Sequence, residues 1–102
     1  MSFEYHARLP RNEPASLLDL VRASVAKLPV EILSTLDDGM QLRWTALPRR
    51  SQWPEDVTVA CDAEGVLVSF HSATGSQRDL LIGCLASTLA KFAGRNVEFE
   101  EV

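Results

Sequence analysis

With 102 residues, of which 46% are apolar and 24% charged, the chain has the size and make-up of one globular domain, which excludes a second domain and wholesale disorder. Its formal net charge of −4 disfavours nucleic acid as a partner unless Lys and Arg gather on one face, and leaves protein surfaces open. The N-terminus carries no basic region ahead of an apolar run, the longest apolar stretch (80–90) is broken by Ser87 and Thr88, and there are only two cysteines. A cytoplasmic protein with reduced thiols and no membrane segment is therefore expected.

Phe3, Tyr5, Ala7 and Leu9 alternate with Glu4, His6 and Arg8, the period of a half-buried strand. Pro10 ends it. Asn12 offers a helix N-cap, with Pro14 in the first turn. Leu17, Leu18, Val21, Val25 and Leu28 then recur at helical spacing, so an amphipathic helix is predicted over 14–28, stopped by Pro29. Residues 30–36 and 40–46 read as the arms of a hairpin about Asp37-Asp38-Gly39, with Gly39 free to take a positive φ. Residues 47–56 have no period and hold two prolines, which marks a loop.

A second hairpin follows, with Val57, Val59 and Cys61 on one arm, Val66, Val68 and Phe70 on the other, and 62–65 as the turn. Ser76 with Asp79 fits a capping box that opens a helix running to Ala93, with Gly94 beyond its end. Alternation over 97–102 predicts a last strand.

The order β-α-β-β-β-β-α-β predicts a single α+β domain over 1–102, with a largely antiparallel sheet and both helices on one face. In element order alone it resembles the ferredoxin-like plan with one extra hairpin. That fold hosts unrelated functions, so the resemblance implies an architecture and no activity.

Few segments carry chemistry. Arg43, Arg49, Arg50 and Trp53, with Trp44 beside them, concentrate Arg and Trp within eleven positions, the residue types most enriched at binding hot spots. Trp44 shares parity with Leu42 and suits the core, whereas Trp53 lies in the aperiodic loop. Thr74, Gly75, Ser76 and Arg78 sit at a helix N-terminus and form a candidate anion site, although capping alone accounts for the hydroxyls. Glu98 and Glu100 share a strand face, which is ordinary for a solvated edge.

His6, Cys61, His71 and Cys84 fall on four different elements, without the close pairs of a zinc site, so no metal and no cofactor is expected. Nor is there a thiol or hydroxyl marked as activated, and Cys61 and Cys84 are expected to be buried. The helix over 76–93 lacks charge between Asp79 and Lys91 and is apolar around most of its girth. It should be covered on more than one side, by the first helix or by a second copy along Gly83, Ser87 and Ala90.

These features together favour a small non-enzymatic protein-binding module, of the bacterial immunity or antitoxin type that caps a partner. The alternatives are a homodimeric ligand-binding or accessory domain, and a Cys/His enzyme using His71 and Cys84.

Overall fold

A computed structural model describes residues 3–9, 14–45 and 55–102; the predicted loop with Arg49, Arg50 and Trp53, and the Asn12 cap, lie outside them. The alternations seen in the sequence become strands β1 (Phe3–Arg8), β2 (Val30–Thr35), β3 (Gly39–Trp44), β4 (Val57–Asp62), β5 (Gly65–Phe70) and β6 (Phe99–Glu101). The helical periods become α1 (Pro14–Val25) and α2 (Gly75–Ala93). All pairings are antiparallel in a six-stranded open sheet ordered β2-β3-β4-β5-β1-β6. Four antiparallel steps make β1 and β2 parallel, and β5 and β6 run parallel on either side of β1. Each helix thus closes a split β-α-β unit, and both lie on one face.

The register explains why that face is the core. Leu42, Val57, Phe70 and Phe3 stand in one cross-strand row; Met40, Val59, Val68 and Tyr5 form the next; Cys61, Val66 and Ala7 form a third. Leu17, Leu18, Val21 and Val25 of α1 and Leu81, Leu85 and Leu89 of α2 close over these rows. Tyr5 and Phe70 meet edge to face at 5.8 Å, a favoured aromatic geometry.

Several boundaries differ from expectation for identifiable reasons. Helix α1 ends at Val25, not 28, because the approach to Pro29 disfavours helical backbone. The last turn tightens into three-residue bonds, Lys27 N–H to Ser24 and Leu28 N–H to Val25. The N-cap of α2 is Thr74, not Ser76: its hydroxyl accepts from Gln77 N–H at 3.2 Å and Gln77 Oε1 accepts from Thr74 N–H at 2.8 Å. This is the reciprocal box the sequence suggested, two residues earlier and with Gln at its third position. Gly94 ends α2 in the left-handed region at φ 69°, as expected.

Gly39 does not take a positive φ; only Gly65 and Gly94 do. Asp37 and Asp38 alone bridge the first hairpin, with Leu36 and Gly39 bonded to one another in both directions. Gly39 is needed for a different reason. A Cβ there would sit 2.1 Å from the Val59 carbonyl oxygen. Strand β6 is shorter than predicted because only Tyr5, His6 and Ala7 of β1 face it in register.

Candidate interaction face

The side of the sheet away from the helices follows from the same register. One row runs Gly39, Ala60, Leu67, His6 and Glu100. Leu36, bonded to Gly39, extends it at the β2 edge. A second row is Ser34, Gln41, Thr58, Ser69 and Glu4, which is polar as a solvated face should be. The first row is apolar from β2 to β5, before His6 and Glu100: Leu36 is 41% exposed, and Ala60 and Leu67 are half-buried with no helix above them. Between Ile32 and Ser34 the β2 register slips at a bulge that leaves Leu33 unpaired and 38% exposed. Bulges are common at sheet edges, and an apolar strip runs from Leu36 at that edge through Ala60 to Leu67 on β5.

Charged groups border the strip. Arg43 is ion-paired across the strands with Glu31 through Nη2, while its Nε donates to the same carboxylate oxygen. Its guanidinium is therefore held flat along the β2–β3 pair. The chain leaves β3 after Thr45, which is pinned by its N–H and hydroxyl to the Pro29 carbonyl, both at 3.0 Å. It re-enters at Glu55 and Asp56, which are 6% and 7% exposed. Asp56 Oδ2 accepts from Trp44 N–H at 2.9 Å, and the Asp56 carbonyl accepts from His71 N–H at 2.8 Å and Ser72 N–H at 3.2 Å. Through its carboxylate and its backbone, Asp56 ties the ends of β3, β4 and β5 together. Trp44 is core, as its parity predicted, and its indole Nε1 is buried with no partner among the described residues.

His71 lies on the open side beside this knot. Its Nε2 is 3.3 Å from Thr58 Oγ1 and 3.9 Å from Glu55 Oε1. Both contacts fall on one ring nitrogen. Cys84, the other residue of the Cys/His alternative, is at the α1–α2 seam instead. Its Sγ is 3.1 Å from Ser24 Oγ, which in turn is 2.9 Å from Thr88 Oγ1.

Cys61 is buried as expected, and both thiols are free, but Cys84 is only half-buried. The α1 flank it occupies is polar and open at its rim. Burial, with Asp62 and Asp38 adding nearby negative charge, pushes the Cys61 thiol from 9.0 up to about 11. Among the described residues no three His, Cys, Asp or Glu side chains stand close enough to hold a metal ion.

At the candidate anion site the groups have other work. The Thr74 and Gln77 amides are satisfied by the capping box. Arg78 donates to the Ala73 carbonyl at 3.4 Å and lies 4.4 Å above the Phe3 ring, a cation–π contact that fixes it against β1. Thr74 thus caps the helix, and Arg78 packs at its first turn.

Helix α2 departs from the expected broad burial. Leu81, Leu85 and Leu89 alone are fully buried, one line at four-residue spacing. Leu80 and Phe92 remain 47% and 48% exposed, and a Cβ on Gly83 would meet nothing within 4 Å. Among the described residues no helix is long and apolar enough to cross a membrane.

Two features escaped the sequence reading. The grouping of Glu55, Thr58 and His71 depends on strand register, which no local pattern gives. The apolar strip did leave a trace: Val59-Ala60-Cys61 and Val66-Leu67-Val68 are apolar at both parities, the mark of strands with two non-polar sides. Compared with protein families, with curated proteins and with solved structures, the chain matches none.

Proposed function

We propose that this protein is a non-enzymatic protein-binding module whose partner docks on the open face of the sheet. The observation that carries this is the strip Leu36, Ala60 and Leu67, which is apolar on the side no helix covers. Apolar strips rimmed by polar residues characterise recognition surfaces. The segment with Arg49, Arg50 and Trp53, which follows β3 and precedes β4 in sequence, would supply its anchors. A net charge of −4 suits a partner with a basic surface, as for an immunity-type inhibitor that caps its target.

The test is affinity capture and quantitative binding in the native host. The wild-type chain is compared with Leu36→Glu/Leu67→Glu and with Arg49→Ala/Arg50→Ala/Trp53→Ala, each checked for fold by circular dichroism. The face variant should lose more than tenfold in affinity for a protein the wild type binds stoichiometrically. If it keeps affinity within twofold while the loop variant loses it, docking belongs to the loop. If both retain it, the proposal fails.

A homo-oligomer through α2 is a second reading, favoured by the exposure of Leu80 and Phe92. Light scattering on Leu80→Glu/Phe92→Glu tests it: a wild-type dimer that becomes monomeric would support it.

A further inference from the structure

We infer that a groove at the β6 side of the sheet binds a small zwitterion, a free amino acid or short peptide, through its carboxylate and its ammonium group. The groove encloses about 410 Å³, toward the lower end of the roughly 300–1,000 Å³ typical of small-ligand sites. One wall is strand and the other is the short connection between α2 and β6, and most of the lining side chains are exposed to solvent. His6 and Arg8 project from β1 onto the open face, and Glu100 stands opposite His6 in register. Gly94 turns the chain out of α2, and the buried Val97 anchors the returning segment, so that Arg95, Asn96 and Glu98 form the facing wall. The Arg95 guanidinium bridges the two walls, donating from Nη2 to the Arg8 carbonyl and from Nη1 to the Asn96 carbonyl, each at 3.5 Å.

The charge pattern chooses the ligand. Two guanidinium groups, Arg8 and Arg95, and two carboxylates, Glu98 and Glu100, line one groove. Among the described residues neither arginine is ion-paired with either glutamate. A lining of net zero charge with both signs displayed would repel a phosphate or dicarboxylate from the glutamates and a polyamine from the arginines. A molecule carrying one carboxylate and one ammonium engages both, with Arg–carboxylate pairing able to be bidentate. The groove adjoins the apolar strip, because His6 stands opposite Leu67, but it is argued from its own lining charges and not from partner docking.

The experiment is a two-dimensional NMR titration of the ¹⁵N-labelled full chain with each of the twenty free L-amino acids and with triglycine. Saturable shifts are expected at residues 6–8 and 94–100 for at least one of these probes. The Nα-acetyl and the carboxamide forms of that probe should each bind about tenfold more weakly, as should the wild-type probe to Arg95→Gln and to Glu100→Gln. The variants are at exposed positions, and their spectra report directly that they are folded. A free amino acid binding at least as tightly as triglycine identifies the source as a metabolite; the reverse order identifies a peptide. The inference is overturned if no probe gives saturable shifts at those residues up to roughly 10 mM, or if blocking either charged group leaves affinity unchanged.

Discussion

The two faces of the one sheet differ in what their residues are committed to. Toward the helices, Val57, Val59, Cys61, Val66, Val68 and Phe70 are all buried and each is backed by a helix residue or a cross-strand neighbour. Away from them, the intervening residues Thr58, Ala60, Leu67 and Ser69 are half-buried at most, sheltered by neighbouring strands alone. Inward residues are thus held by the fold and can change only at its expense. Outward residues are held in position by a backbone they do little to stabilise. That freedom is what a recognition surface requires.

The sharpest way to break the comparison is to place the same charge on both sides. Leu85→Asp puts an unpaired carboxylate against the sheet. It should prevent folding, because such a charge costs several kcal/mol and a domain of this size has only about 5–15 kcal/mol in total. Leu67→Asp on the open face should shift stability by no more than about 1 kcal/mol. Far-UV circular dichroism and thermal melts of both variants decide it. If Leu67→Asp also unfolds, the open face is packed and the strip is structural.

Next in size are the glycines where backbone meets backbone. A Cβ on Gly65 would lie 1.9 Å from the Ala7 carbonyl oxygen, and its φ of 144° is one that other residues rarely adopt. Gly65→Ala should cost about 3 kcal/mol from strain and overlap together. Gly39→Ala meets only the backbone overlap with Val59 and Ala60 and should cost less, about 1–3 kcal/mol. Urea denaturation with unchanged slope measures both. Equal losses would mean that the φ at Gly65 contributes nothing.

Cys61 probes the covered side by pH. Its thiol is raised to about 11 in the fold against 9.0 outside it. Below pH 9 the thiol is protonated in both states and stability is unaffected. Between pH 9 and 11 only the unfolded chain loses this proton, so stability falls as pH rises. Cys61→Ser should flatten that part of the stability–pH curve, and iodoacetamide at pH 8 should label Cys84 ahead of Cys61. Faster labelling of Cys61 would place it at the surface.

Much of the architecture was readable because it rests on short-range patterns. The alternation of β3, β4 and β5 and the Leu spacing of both helices survive into the fold with their parity intact. Where reading failed, a distant contact decided. Gly39 owes its identity to the Val59 carbonyl on the next strand, not to its own turn. The breadth of α2 suggests cover on several sides, yet Leu80 and Phe92 are open, while Cys84 and Thr88 meet Ser24 of α1. The candidate face was the least legible part. Arg43 was picked out by composition, and its partner Glu31 became visible only through the β2–β3 register.

That pair gives the smallest effect and the finest test of the open face. Arg43 and Glu31 are joined on partly exposed strands, and such a pair is worth about 0.2–1 kcal/mol. A double-mutant cycle of Arg43→Ala and Glu31→Ala, read by thermal melts at low and high salt, should return a coupling in that range that shrinks with salt. Binding then separates two roles that stability cannot. If Arg43 serves only to hold β2 against β3, either substitution leaves partner affinity within twofold. If its guanidinium is destined for a carboxylate on the partner, Glu31 competes for it. Arg43→Ala should then weaken binding, while Glu31→Ala, by releasing the guanidinium, should tighten it. Opposite signs from the two halves of one ion pair would locate the partner at the β2 edge, beside Leu33 and Leu36; matching signs would remove Arg43 from the interface.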